Sequence, residues 1–225
     1  MNWLALEFAY DFRSVALRYC GRVFEEFQHG GRHTPAVGMI HRVLQSAGAR
    51  PGEIDRLVVG LGPGSYTGVR LAISVAQGWQ LATGVECVGW SSFEGLARTG
   101  SRIGLIKATL VVDAQREEAA VACVAWAGDG THHIGETELV RWEELRQRAE
   151  GGEVILGPGL PGRWGIGRDL RPSAADLLAS LPEQPTITPA EALAPVYLRT
   201  AQFVKAPPTR NWTATEAASP SVTVT

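Results

Sequence analysis

Lysine is nearly missing from this chain of 225 residues. Only Lys107 and Lys205 occur, and the rest of the positive charge is arginine. Chemistry that depends on a lysine is therefore narrowed to two positions. Cysteine is scarce as well: Cys20, Cys87 and Cys123 are far apart and odd in number. They form neither a disulfide framework nor a zinc pattern, so they read as buried thiols in a reducing cytosol. Excess charge of one sign is also lacking. A net charge of −2 gives no global field toward nucleic acid or anionic lipid. The longest uncharged window, Leu71 to Val85, holds two glutamines and is too short to span a bilayer. Glu7, Asp11 and Arg13 come too early for a secretory signal. The expected location is the cytoplasm, with no membrane partner.

What is present suits a globular fold. The hydrophobic fraction is 45%, and the length fits one large domain or two small lobes. Trp3 to Glu7, Ser14 to Tyr19 and Val23 to Phe27 read as three strands in a meander. Thr34-Pro35 then starts a helix, with Val37, Ile40, Leu44 and Ala47 on one face and Gly48 at its end. Arg56 to Gly60 reads as a buried strand and leads through a glycine-rich turn into a long apolar helix that Gly84 stops. Glu86 to Val88 is a further strand, and Ser91 with Glu94 reads as a capping box for a short helix. The second half repeats the plan: strands at Leu110–Asp113, Ala119–Trp126 and His132–Glu138, a helix at Trp142–Ala149, a strand at Val154–Leu156 and a turn at Gly157-Pro158-Gly159. From about Ala206 the chain is Pro, Thr, Ala and Ser, and reads as a disordered tail. The expected organisation is a first lobe at 1–100, a second at 101–205 and the tail at 206–225.

The turn "GLGPGSYTGVR", residues 60–70, sits where many proteins hold a phosphate. It is not a P-loop, because the lysine of that motif is missing, and the spacing of Gly62, Gly64 and Gly68 fails the dinucleotide pattern. A helix N-terminus still offers free N–H groups to an anion. The stronger reading is structural: Gly62, Gly64 and Gly68 supply positive φ and Pro63 stiffens the turn. In the helix that follows, the polar positions Arg70, Ser74, Gln77 and Gln80 lie close to one narrow stripe. A helix apolar on nearly all other faces needs cover on more than one side. Composition leaves open whether a neighbouring helix or a partner subunit supplies it.

Residues 62–97, "GPGSYTGVRLAISVAQGWQLATGVECVGWSSFEGLA", closely resemble the TsaB family, also called YeaZ. So do "LALEFAYDFRSVAL" at 4–17, "RHT" at 32–34, "VVDAQREEAAVA" at 111–122 and "PVYLRTAQFVK" at 195–205. The resemblance implies an α/β fold of the actin/Hsp70 (ASKHA) type with two lobes, the second reduced. It implies a non-catalytic subunit that pairs with TsaD, the protein that places a threonylcarbamoyl group on the adenosine beside the tRNA anticodon. A small ATPase, TsaE, is expected to join, tRNA to be reached only through the complex, and the isolated chain to form a homodimer. The family pairs through helices of the first lobe. That assigns the partner interface to Val69, Ala72, Ile73, Ala76 and Trp79, with Gly62, Pro63, Gly64 and Gly68 as the structural turn.

No catalytic, cofactor or metal residue is expected in the chain itself, and ATP is expected, if at all, only in the assembled complex. In this fold the first hairpin offers an aspartate, a glycine and hydroxyls to nucleotide phosphates, and family members often show Asp-Thr-Ala. Here Glu7-Phe8-Ala9 stands instead, which argues against ATP hydrolysis; Asp11 reads as a solvated turn residue. His29 and His33 have the spacing of a helical metal pair, but Gly30 and Gly31 between them are poor helix formers, so the segment reads as a linker. His132 and His133 point to opposite faces of a strand and cannot chelate together. Asp113, Arg116, Glu117 and Glu118 read as a solvated charged hairpin. An independent ATPase or phosphotransferase of the same fold is the alternative function, and a metallopeptidase the third.

Overall fold

The computed structural model describes residues 1–29 and 34–199. The expected tail at 206–225, and His33 with it, lie outside the described residues.

The chain builds two sheets on one plan. In the first, β1 (Trp3–Glu7), β2 (Phe12–Tyr19) and β3 (Arg22–His29) form the antiparallel meander, and β4 (Arg56–Gly60) and β5 (Glu86–Trp90) add parallel to β1, giving the order β3-β2-β1-β4-β5. In the second, β6 (Lys107–Asp113), β7 (Glu118–Trp126) and the short β8 (His132–Ile134) make the meander. There β10 (Ile155–Gly157) and β11 (Arg168–Asp169) add on the far side of β6, and β9 (Glu138–Arg141) also pairs with β7. The single strand expected at His132–Glu138 is thus two short ones, separated at residues 135–137, with Gly135 N–H making the last bond to β7 at the Cys123 carbonyl.

Strand β1 is buried at every position and β4 at all but its first, so both read as unbroken apolar runs rather than alternating ones. Helices α1 (Ala36–Ala47) and α2 (Tyr66–Thr83) cover one face of the first sheet. Helix α1 ends at Gly48 in the left-handed region, as expected, but its inward face is Ala36, Met39, Ile40, Val43 and Leu44. Val37 points outward and is 76% exposed. Helix α3 (Ser92–Gly100) is capped by Ser91, which accepts from Phe93 N–H. The expected capping box does not form, because Glu94 pairs with His132 at 2.7 Å. Helices α4 (Trp142–Glu150) and α5 (Leu160–Trp164) cover the outer face of the second sheet, with Trp142 stacked on Trp164.

Helix α6 (Ala174–Ala179) returns to the first sheet and packs on β1 and β2. Its N-terminal amides are taken up by Ser14 Oγ, Glu25 Oε1 and Ser173 Oγ, and its side packs on α3, where Gly95 lies against Leu177. Farther on, Thr188 N–H donates to Cys87 and Val196 N–H to Leu61. The expected second lobe, 101–205, is therefore not one block: from about residue 173 the chain is bound to the first sheet. Only Cys87 is a buried thiol. Cys20 and Cys123 are exposed, contrary to the reading of all three as buried.

Candidate functional site

The first hairpin and the glycine turn lock together. Gly62 and Gly64 take φ of 89° and 151°, as the turn requires. Gly68 does not: it is helical, within the first turn of α2. Its need is space, since a Cβ there would collide with the Phe8 carbonyl oxygen, just as one at Gly64 would collide with the Ala9 carbonyl. Ser65 N–H donates to Ala9 O at 2.6 Å, and Ser65 Oγ caps α2 by accepting from Gly68 N–H. The turn thus seats the start of α2 directly on the β1–β2 hairpin.

The seating decides which way α2 faces. Val69, Ala72, Ile73 and Ala76 recur at helical spacing and are 0–6% exposed, inside the chain's own core. They are corrected here from partner residues to core residues: a helix lying on a sheet must bury one such stripe, and this is it. Trp79 alone of the five lies on the half-buried edge. The face left outward carries Arg70, Ser74, Gly78 and Leu81, with Leu71 and Val75 half-buried beside it. Leu81 is 91% exposed, and the space around Gly78 is open.

Between the lobes lies an open cleft of about 1370 Å³, walled by the first hairpin, the start of α2 and the β6–β7 hairpin. The second hairpin is not a plain solvated turn. Gln115, Arg116 and Glu117 all take left-handed φ, 56–64°, held by Asp113 accepting from Gln115 N–H and by Arg199 donating to Gln115 O. Three acids of the cleft are already engaged: Asp113 pairs with Arg163 at 2.8 Å, Glu118 with Arg199, and Asp169 with both Gly159 N–H and Arg171. Asp11 stays exposed at the hairpin, as expected. At the rim, Arg70 donates to the Tyr66 hydroxyl, and Tyr197 stands 6.1 Å from the Tyr66 ring. Among the described residues no group of three His, Cys, Asp or Glu side chains could hold a metal ion.

Glu7, the residue in the place of the family's aspartate, does not reach the cleft. It is 1% exposed, and burial pushes its carboxyl up to about 7, against the hydrogen bonds of Ala9 N–H and Ser92 that favour the charge. Oε1 accepts from Ala9 N–H at 2.9 Å, while Oε2 has no partner. The carboxyl lies over Gly60, where a Cβ would stand 2.5 Å from Oε2. The Tyr10 hydroxyl is likewise buried without a partner, and burial together with nearby Glu7 raises it well above its ordinary value. Sequence reasoning singled out Glu7 but missed Tyr10 and Ser92, because nothing in their spacing says that they share a chamber with it.

Two meanders of the same order, each extended by parallel strands and facing each other across a cleft, define a two-lobed α/β protein of the actin/Hsp70 (ASKHA) class. The profile of the family described as "TsaD: tRNA N6-adenosine threonylcarbamoyltransferase" matches residues 32–148. The tRNA threonylcarbamoyladenosine biosynthesis protein TsaB of Escherichia coli is 30% identical over 226 residues, spanning 88% of this chain and 95% of that protein. The Bacillus subtilis protein of the same name is 38% identical over 91 residues, 39% of this chain and 37% of its own. The solved structure of YeaZ from Pseudomonas aeruginosa superposes with a TM-score of 0.72 at 27% identity, covering 88% of this chain and 99% of that one. The chain belongs to the TsaB (YeaZ) family.

Proposed function

We propose that the chain is the non-catalytic partner of a TsaD-type transferase in forming threonylcarbamoyladenosine beside the anticodon of tRNA. The observation that carries this reading is the first hairpin. The carboxylate that ends β1 is sunk beneath the glycine turn, and Phe8, in the place of a hydroxyl, is fully buried. In the cleft Asp113, Glu118 and Asp169 are tied to arginines or to backbone N–H groups, and Asp11 stands on the solvent side of the hairpin turn. A fold of this class whose first strand presents neither an acid nor a hydroxyl to the cleft has a shape to offer rather than a reaction. The shape is the outer face of α2, where Leu81 projects beside open space at Gly78. Small and apolar residues on a helix are what another helix packs against. The outer face of α2 takes the partner, either the TsaD-type subunit or, in isolation, a second copy; a TsaE-type ATPase and the tRNA join through the complex in the cytoplasm.

Co-purification with the TsaD of the same organism tests partner and function together. Robust magnesium-dependent ATP hydrolysis by the chain alone would support the independent ATPase instead, the reading that the size of the cleft favours.

A further inference from the structure

Glu7 is expensive to bury and is not used by the reading above. Its surroundings show what it does. The carboxyl faces the Ala9 N–H and the Tyr10 hydroxyl from the hairpin, the Ser92 hydroxyl from α3, and the bare Cα of Gly60 from β4. No charged side chain is among the groups that perturb it. Ser92 in turn holds the glycine turn at both ends of one residue: its Oγ accepts from Gly62 N–H at 3.1 Å and its N–H donates to Gly62 O at 2.8 Å. The hairpin that carries Glu7 presents the Phe8 and Ala9 carbonyls against Gly68 and Gly64, and Ala9 O accepts from Ser65 at the cap of α2. The acid, the turn and the helix start are one packed unit.

We propose that Glu7 is a proton-dependent latch on the start of α2: as the neutral acid it holds the first hairpin down on the glycine turn, and on losing its proton it loosens that contact. The protonated carboxyl has a hydrogen to give, and the chamber contains two buried oxygens, on Tyr10 and Ser92, that can accept one. The carboxylate has none to give, and it is left with the Ala9 N–H and the Ser92 hydroxyl, which favour its charge less than burial opposes it. The charge is then held away from water in a nearly closed chamber, and lifting the hairpin toward water relieves that cost. Lifting it withdraws Ala9 O from Ser65 and the Phe8 carbonyl from Gly68, so the first turn of α2 loosens with it. The latch belongs to the isolated chain and needs no partner to be seen.

The sign follows from linkage. A carboxyl that titrates higher in the folded than in the unfolded chain binds more protons when folded, so stability falls as pH rises from about 4.5 through about 7 and is level above that. A difference of this size corresponds to roughly a few hundred-fold in the folding equilibrium, or about 10 °C in Tm for a chain of this length. The test is a pair of melting series from pH 5 to pH 8.5, on the intact chain and on Glu7→Gln, with hydrogen exchange of the Ser65, Gly68 and Val69 amides corrected for intrinsic rate. Every other titratable group is common to both proteins, so the difference isolates Glu7. Expected are a Tm that falls in the intact chain more than in Glu7→Gln, and protection at those three amides that drops over the same pH range. Equal slopes in the two proteins, or a slope without loss of protection at these amides, would overturn the latch. If Glu7→Gln does not fold, the infrared band of a protonated carboxyl in the intact chain decides: present at pH 6 and lost by pH 8.5 it supports the latch, and absent at pH 6 it refutes it.

Discussion

The two halves of the molecule carry the same device and finish it differently. Each has a strand ending in an acid, a tight hairpin, and a glycine turn leading to a helix. In the first half the acid is Glu7, buried with one oxygen unpartnered. In the second it is Asp113, at the cleft and neutralised by Arg163. The first glycine turn launches α2, 18 residues long; the second launches α5, which stops after 5. A short helix is used up by its own sheet, whereas a long one is left with an outer face. The same plan thus yields a helix with surface to spare in one half and a stub in the other, and in neither half a free acid at the end of the leading strand. That difference is what separates the scaffold reading from an enzyme of the same class.

The comparison can be broken hardest from inside α2. Ala76→Arg should place an unpaired charge in the core of the chain and cost more than about 4 kcal/mol, so the melting curve should collapse. A normal curve would mean that Ala76 faces outward after all. Next comes Gly68→Ala. Its methyl would meet the Phe8 backbone oxygen, which cannot swing away, so a loss on the order of 3 kcal/mol is expected in a denaturant titration. Gly159→Ala, at the matching turn of the second half, meets nothing within 4 Å and only suffers its left-handed φ of 69°, for roughly 1–2 kcal/mol. Equal losses at the two glycines would erase the contrast between the turns. Smallest is Asp113→Asn. It removes one ion pair whose arginine is half exposed, worth under about 1 kcal/mol, and a thermal melt should shift by no more than a few degrees.

Much of this was legible in the residues, and the failures have physical reasons. The strand Trp3–Glu7 and the stop of α2 at Gly84 show because an unbroken apolar run and a left-handed glycine are local signals. The repeat of the meander was visible for the same reason. The faces of α2 were not. Its inward stripe of Val69, Ala72, Ile73 and Ala76 is made of small and branched residues that suit a sheet and a partner helix equally, and only the angle set by Gly64 and Gly68 tells them apart. That angle depends on the Phe8 and Ala9 carbonyls, more than fifty residues earlier. Helix α6 was missed because 6 residues between Ser173 and Ser180 have too few turns to show a period, and its amides are capped by Ser14 and Glu25 from the other lobe. The chamber of Glu7, Tyr10 and Ser92 is likewise a meeting of distant segments.

The outer face of α2 is where the account is most exposed to test. Leu81→Arg changes a side chain that is 91% exposed, so folding should barely notice it and Tm should move by no more than a degree or two. If that face receives the TsaD-type partner, the same change puts a charge where a dry helix contact forms. It should then weaken binding by about 2–4 kcal/mol, tens- to hundreds-fold in Kd. The measurement is a binding titration of Leu81→Arg against the TsaD of the same organism, beside the intact chain and with a melting curve for each. Unchanged melting with lost affinity is the predicted result; unchanged melting with full affinity would contradict it.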